Sequence, residues 1–136
     1  VIRGSGIDIN YFKYHSEKIK NEVRLAYAGR ILEDKGVMCL VEAYKIAKTK
    51  NPKLSLYIAG SLDEENPSSI SKKQFNQLIN FKDINYLGKI RNIKKYWQEA
   101  DIAVLLSKRE GLPLSLLEAA AIALESANGS SLASKI

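Results

Sequence analysis

Two cations and two carboxylates stand out by position. Arg30 and Lys35 follow the strand-like run "EVRLAYAG" (Glu22–Gly29), and Glu110 and Glu118 lie in "SKREGLPLSLLEAAA" (Ser107–Ala121). A guanidinium beside an ammonium suits anion recognition. Taken alone, either cation is accounted for as ordinary solvated loop charge. Lys35, however, is expected in the first turn of a helix, where the dipole disfavours a cation. The pair makes better sense if both residues hold an anion at that N-terminus. Pro113 reads as a first helical residue, since its missing N–H costs nothing there. Glu118 then falls about a turn and a half into the helix. Its neighbours are nearly all apolar or small, so the helix is expected to be buried on more than one face. A carboxylate in that setting needs a hydrogen-bonding partner. For a lone glutamate, burial habits favour a structural salt bridge or a partly exposed edge over a ligand.

The elements that must position these residues alternate along the chain. Strands are expected at Glu22–Gly29, Leu54–Gly60, Ile84–Gly88 and Asp101–Ser107. The intervening stretch Lys35–Lys50 carries Val37, Leu40, Val41, Tyr44 and Ala47 at helical spacing and stops at Asn51-Pro52. Shorter helices are expected at Ser71–Asn80 and Ile93–Ala100, and a last one at Pro113–Ser126. This alternation predicts an α/β fold, a Rossmann-like doubly wound parallel sheet with strand order 3-2-1-4. Three strands end in glycine (Gly29, Gly60 and Gly88), which leaves room for a ligand beyond the carboxyl ends of the strands. Strands 1 and 4 flank the reversal of winding, so Arg30, Lys35, Glu110 and Glu118 should converge on one crevice. The stretch 1–21 has no clear periodicity and reads as a linker before a domain over 22–126. Residues 127–136 read as a disordered tail. "SLDEENPSS" (Ser61–Ser69) is a polar loop, and "RGSG" (Arg3–Gly6) reads as an interdomain hinge.

Composition narrows the class. With 136 residues and 46% hydrophobic content, the chain can bury one domain's core. No run approaches the length of a membrane-spanning helix. Cys39 and His15, the single members of their types, allow neither an internal disulfide nor a metal-ligand cluster; no metal or cofactor is expected, and a reducing cytoplasm fits. The net charge of 21 − 15 = +6 is compatible with nucleic acid, an anionic lipid surface or a phosphorylated ligand. No aromatic-interleaved basic stripe appears, so nucleic acid is not an expected partner. Trp97 and Tyr96 read as packing residues and Cys39 as a core residue.

In "AGRILEDKGVMCLVEAY", "INYLGKI" and "REGLPLSLLEA" the chain resembles the carboxyl-terminal, nucleotide-binding domain of retaining GT-B glycosyltransferases of family 4, with glutamates at the spacing of that family's motif. The resemblance runs from about Gly4 to Ala121 and is nearest to bacterial enzymes of surface-polysaccharide synthesis. It implies that Arg30 and Lys35, after Gly29, hold the diphosphate of a sugar nucleotide and stabilise its departure in place of a metal ion. Glu110 would accept hydrogen bonds from donor-sugar hydroxyls, assisted by the backbone N–H groups of Gly111 and Leu112. Glu118 would hold the ribose hydroxyls. The base would lie against Leu87–Ile90, with Lys89 as its nearest charged side chain. The acceptor, a glycan or lipid-linked glycan, would be supplied through an amino-terminal domain. A cytoplasmic location follows, with peripheral attachment at the inner face of the membrane compatible with it.

The family pattern continues past the second glutamate into a further strand and closing elements, where this sequence has "AIALESANGSSLASKI". The expectation is therefore a truncated domain, inactive alone, in which Ile102–Leu106 forms an uncovered apolar edge prone to self-association. After strand 2, Gly60-Ser61 replaces the family's Gly-Asp-Gly-like turn. A basic binding module for nucleic acid or another anionic partner, and a decayed fragment keeping only the fold, are the alternatives.

Overall fold

A computed structural model of the chain describes residues 6–12, 21–108, 110 and 113–133, the side chains of 125–133 excepted. Its elements run β1 (Val23–Ala28), a one-turn 3-10 helix (Glu33–Lys35), α1 (Val37–Lys50), β2 (Leu54–Ala59), α2 (Lys72–Ile79), β3 (Ile84–Gly88), α3 (Ile93–Gln98), β4 (Ile102–Ala103) and α4 (Leu114–Ala133). The four strands form one sheet in the order β3-β2-β1-β4, every pairing parallel. The expected doubly wound arrangement is therefore observed, with β1 and β4 adjacent at the reversal.

Local sequence explains most element ends. Ser71 caps α2 through a reciprocal capping box with Gln74. The Asn92 side chain accepts from the Lys95 N–H at the start of α3, and Asn51 closes α1. On one face of the sheet, α1 buries Val37, Leu40, Val41 and Tyr44 against Leu56 and Ile58. On the other, Tyr96 and Trp97 of α3 and Ala121 and Ile122 of α4 pack with Ala26, Ala59 and Phe12. Each fully buried large aliphatic contributes about 1.5–3 kcal/mol of transfer free energy.

Several expectations need correction. The fourth strand is two residues long, where seven were expected. Ile102 and Ala103 pair with Leu25 and Ala26, and the Val104 N–H still reaches the Ala26 carbonyl at 2.9 Å. The chain then leaves the sheet, and Val104 and Leu105 pack on the α1 side of the core. Their apolar character thus serves packing without a β ladder. The last helix continues to Ala133, so 127–133, expected as tail, is helical. Along it Ala121 and Ile122 are buried, while Leu114 and Leu124 are exposed. Cys39, expected in the core, is exposed. Within 1–21, expected to be a linker, Phe12 is buried and Ile7 packs beside it. The hinge expected at Arg3–Gly6 lies outside the described residues except for Gly6.

Candidate active site

The tightest convergence of expected site residues lies just past the carboxyl end of β1. The Lys35 ammonium donates to Oε1 of Glu110, and the Ser107 hydroxyl donates to the same oxygen at 2.7 Å. Lys35 and Glu110 are 75 residues apart in sequence, and each side chain keeps 25% of its surface exposed. The ammonium and the hydroxyl hold the Glu110 carboxyl below the usual carboxylate range, Lys35 contributing most. Lys35 and Glu110, together with Gly29, Arg30, Pro113 and Ser115, line a cleft of about 310 Å³.

Three features of the chain build this corner. The first is Gly36. It is left-handed at φ +70°, and a Cβ there would lie 2.2 Å from the Leu106 carbonyl oxygen. Only a residue without a side chain lets the segment after β4 come this close. The second is the loop 30–35, stitched on both sides. The Ser68 hydroxyl donates to the Asp34 carboxylate at 2.6 Å, and the Lys108 N–H donates to the Asp34 carbonyl at 2.9 Å. The third is Tyr27, whose buried ring sends its hydroxyl to the Arg30 carbonyl at 2.8 Å. Burial pushes that phenol's pKa up, and the Glu110 charge adds to it.

Arg30 reaches the cleft from an exposed position, with its Nη1 3.1 Å from Oδ2 of Asp63. Lys35 does not sit in the first turn of α1. It ends the 3-10 turn, and Gly36, the N-cap of α1, separates it from Val37. Glu118 is half-buried one turn beyond Ser115 and does not line the cleft. Its Oε2 accepts the indole N–H of Trp97 at 3.0 Å. Leu87, near the end of β3, and Lys89 and Ile90, just after it, belong to the far edge of the sheet and also lie off the cleft. Gly111 and Leu112 lie outside the described residues.

The strand-end glycines divide by cause. At Gly60, φ +149°, a Cβ would lie 1.8 Å from the Gly29 carbonyl oxygen. Its need for glycine is therefore set by the neighbouring strand end. Ser61 gives its carbonyl to the Ile31 N–H at 3.0 Å, so the Gly60-Ser61 turn braces the Arg30 loop. Sequence reasoning missed Gly36, Tyr27 and the Trp97–Glu118 contact. Only Gly36 carried a signal, as the glycine between a charged turn and an apolar helical run.

Among the described residues no group of His, Cys, Asp and Glu could hold a metal ion, and no helix is long and apolar enough to cross a membrane. A cation pair facing a carboxylate beside a glycine strand end, at the reversal of a parallel sheet, can bind a polar anion that also carries hydroxyls. Residues 10–124 match the family described as glycosyl transferases group 1. The chain belongs to this family. Among curated glycosyltransferases it is similar to the Staphylococcus aureus capsular polysaccharide biosynthesis glycosyltransferase CapM, 29% identical over 110 residues, which are 81% of this chain and 28% of that protein. The chain thus spans less than a third of that relative's length. Its fold matches the C-terminal domain of the group 1 glycosyl transferase LpcC from Francisella tularensis, with a TM-score of 0.71 and 24% identity over 86% of this chain and 67% of that one. It also matches Anabaena HepE, solved with UDP and glucose, at a TM-score of 0.68 and 17% identity over 85% of this chain and 34% of the other. The architecture is that of a GT-B carboxyl-terminal domain.

Proposed function

We propose that this group 1 glycosyltransferase domain binds the donor of a retaining, family 4 transfer, a nucleoside diphosphate sugar, for polysaccharide synthesis. The observation that carries the reading is the meeting of Lys35 and Glu110 across 75 residues of sequence, with Arg30 in the same cleft. Cleavage of the donor leaves an electron pair on the diphosphate, and two fixed cations stabilise that charge where a metal ion otherwise would. Glu110, kept ionised by Lys35 and Ser107, accepts hydroxyl hydrogens of the sugar; Gly111 and Leu112 add backbone donors. Glu118 takes the ribose, and the Leu87–Ile90 turn takes the base with Lys89 beside it. HepE, part of which shares this fold, is solved in complex with UDP and glucose, and CapM is named for capsular polysaccharide biosynthesis; both support the reading. The acceptor, a glycan or lipid-linked glycan, comes from a part of the protein beyond this domain, at the cytoplasmic face of the membrane.

Titration with UDP, GDP and their sugar conjugates tests the assignment. Arg30→Ala and Lys35→Ala should each weaken diphosphate binding by about 1.5–3 kcal/mol, the scale of one charge-assisted hydrogen bond. Unchanged dissociation constants in both variants would overturn the diphosphate site. Glu110→Gln should erase the preference for sugar nucleotide over bare nucleotide, while Glu118→Ala weakens both alike.

A further inference from the structure

Trp97 is buried at 3% exposure, and its indole N–H, a donor with no acceptor capacity, is satisfied by Oε2 of Glu118 at 3.0 Å. The indole itself is held. Its ring meets Tyr96 edge-on with centroids 5.1 Å apart, and the Tyr96 hydroxyl donates to the carbonyls of Tyr27 at 2.7 Å and Tyr57 at 3.0 Å. Trp97 is thus fixed to the strands through α3, and Glu118 is fixed to Trp97. A glutamate's last torsion is broad and roughly two-fold. A free carboxylate would have to be ordered when a ligand binds, at a cost in affinity.

We propose that Trp97 is a positioning residue for nucleotide recognition. By claiming Oε2, it presents Oε1 of Glu118 as the acceptor for the vicinal hydroxyls of a ribose. The inference rests on the reading of Glu118 as the ribose carboxylate. A chain lacking the indole N–H keeps the carboxylate but loses its aim.

The test is calorimetric titration of the full chain with UDP and GDP and with their 2′-deoxy counterparts, read as the ratio of deoxy to ribo dissociation constants. The wild-type ratio should stand well above one, and Glu118→Ala should bring it to about one. Trp97→Phe keeps an aromatic ring and removes the donor; it should lower the ratio about tenfold, equivalent to about 1.4 kcal/mol, with affinity for the deoxynucleotide unchanged. Glu118→Gln, which leaves Trp97 intact, should lose most of the ratio, because the indole N–H takes the amide oxygen and turns the amide nitrogen toward the sugar. A wild-type ratio of one overturns the Glu118 reading and this inference with it. A ratio abolished by Glu118→Ala yet unchanged by Trp97→Phe overturns the role of Trp97 alone, as does an equal weakening of both nucleotides. If Trp97→Phe does not fold, the Gln variant decides: a wild-type ratio there overturns the proposal.

Discussion

The two ends of β1 carry similar charges put to different use. At the amino end, Arg24 gives Nη1 to Glu99 at 2.7 Å and Nη2 to Glu22 at 3.0 Å, and its guanidinium lies 4.0 Å from the centre of the Tyr57 ring. Its side chain is 19% exposed. At the carboxyl end, Arg30 has, among the described residues, one carboxylate, Asp63, and is 57% exposed; Lys35 has Glu110 and borders a cleft. The first cation is consumed by the fold, with two acidic partners and a ring. The loop that carries the second pair is held in place by backbone stitching, and Arg30 keeps donors free for exchange, since an exposed ion pair is worth only about 0–1 kcal/mol. Charge type does not distinguish binding from structure here; the number of partners and the access to solvent do.

The strongest way to break this contrast is Gly36→Ala. Left-handed strain in a non-glycine residue costs about 1–3 kcal/mol, and the new methyl would also press on the Leu106 carbonyl. The expected loss is about 2–4 kcal/mol in urea unfolding. It should move the Glu110 segment off Lys35 while leaving the Arg24 cluster intact. Retained stability would mean that the close approach is not required. Next in size is Arg24→Ala, which leaves Glu22 and Glu99 without their shared cation and uncovers the Tyr57 ring. About 2 kcal/mol should be lost, a discount from the 3–5 kcal/mol of a fully buried pair because this one is partly wet. Nucleotide affinity should not change. Arg30→Ala should invert that pattern, altering stability by no more than about 0.5 kcal/mol while weakening nucleotide binding. If the two arginine variants behave alike, the contrast between the ends fails.

The order of legibility follows the same division. Strand order and the covered sheet were readable because alternation of apolar runs and helical spacing is a property of the chain itself. Arg30, Lys35 and Glu110 were readable as a group for the same reason: topology brings the ends of β1 and β4 together. What the sequence could not show were partners chosen in three dimensions. Trp97 looked like packing alone, and it is buried, yet its one polar hydrogen also holds Glu118. Gly60 looked like clearance for a ligand, whereas its space is taken by the Gly29 carbonyl. "DIAVLLS" looked like a full strand, because an apolar run reads the same whether it pairs in a sheet or leaves it to cover a helix.

The smallest effect separates the two ends through acid titration. Glu22 and Glu110 both have carboxyl pKa values lowered in the folded chain. The leading cause differs: for Glu22 it is the Ser55 hydroxyl, followed by Arg24, and for Glu110 it is Lys35, followed by Ser107. A carboxyl whose folded value lies below its unfolded one contributes stability that is fully present above the unfolded value. That contribution is lost as pH falls through the folded value. Both ends should therefore weaken on acidification below the ordinary carboxyl range, with no change on the alkaline side from these groups. Lys35→Met should raise the Glu110 midpoint and leave Glu22 where it was; Ser55→Ala should do the reverse. Side-chain carboxyl shifts followed by NMR against pH give both midpoints in one experiment. Movement of both midpoints in either variant would show that the two ends of β1 are electrostatically coupled through the sheet, contrary to the separation drawn from their partners.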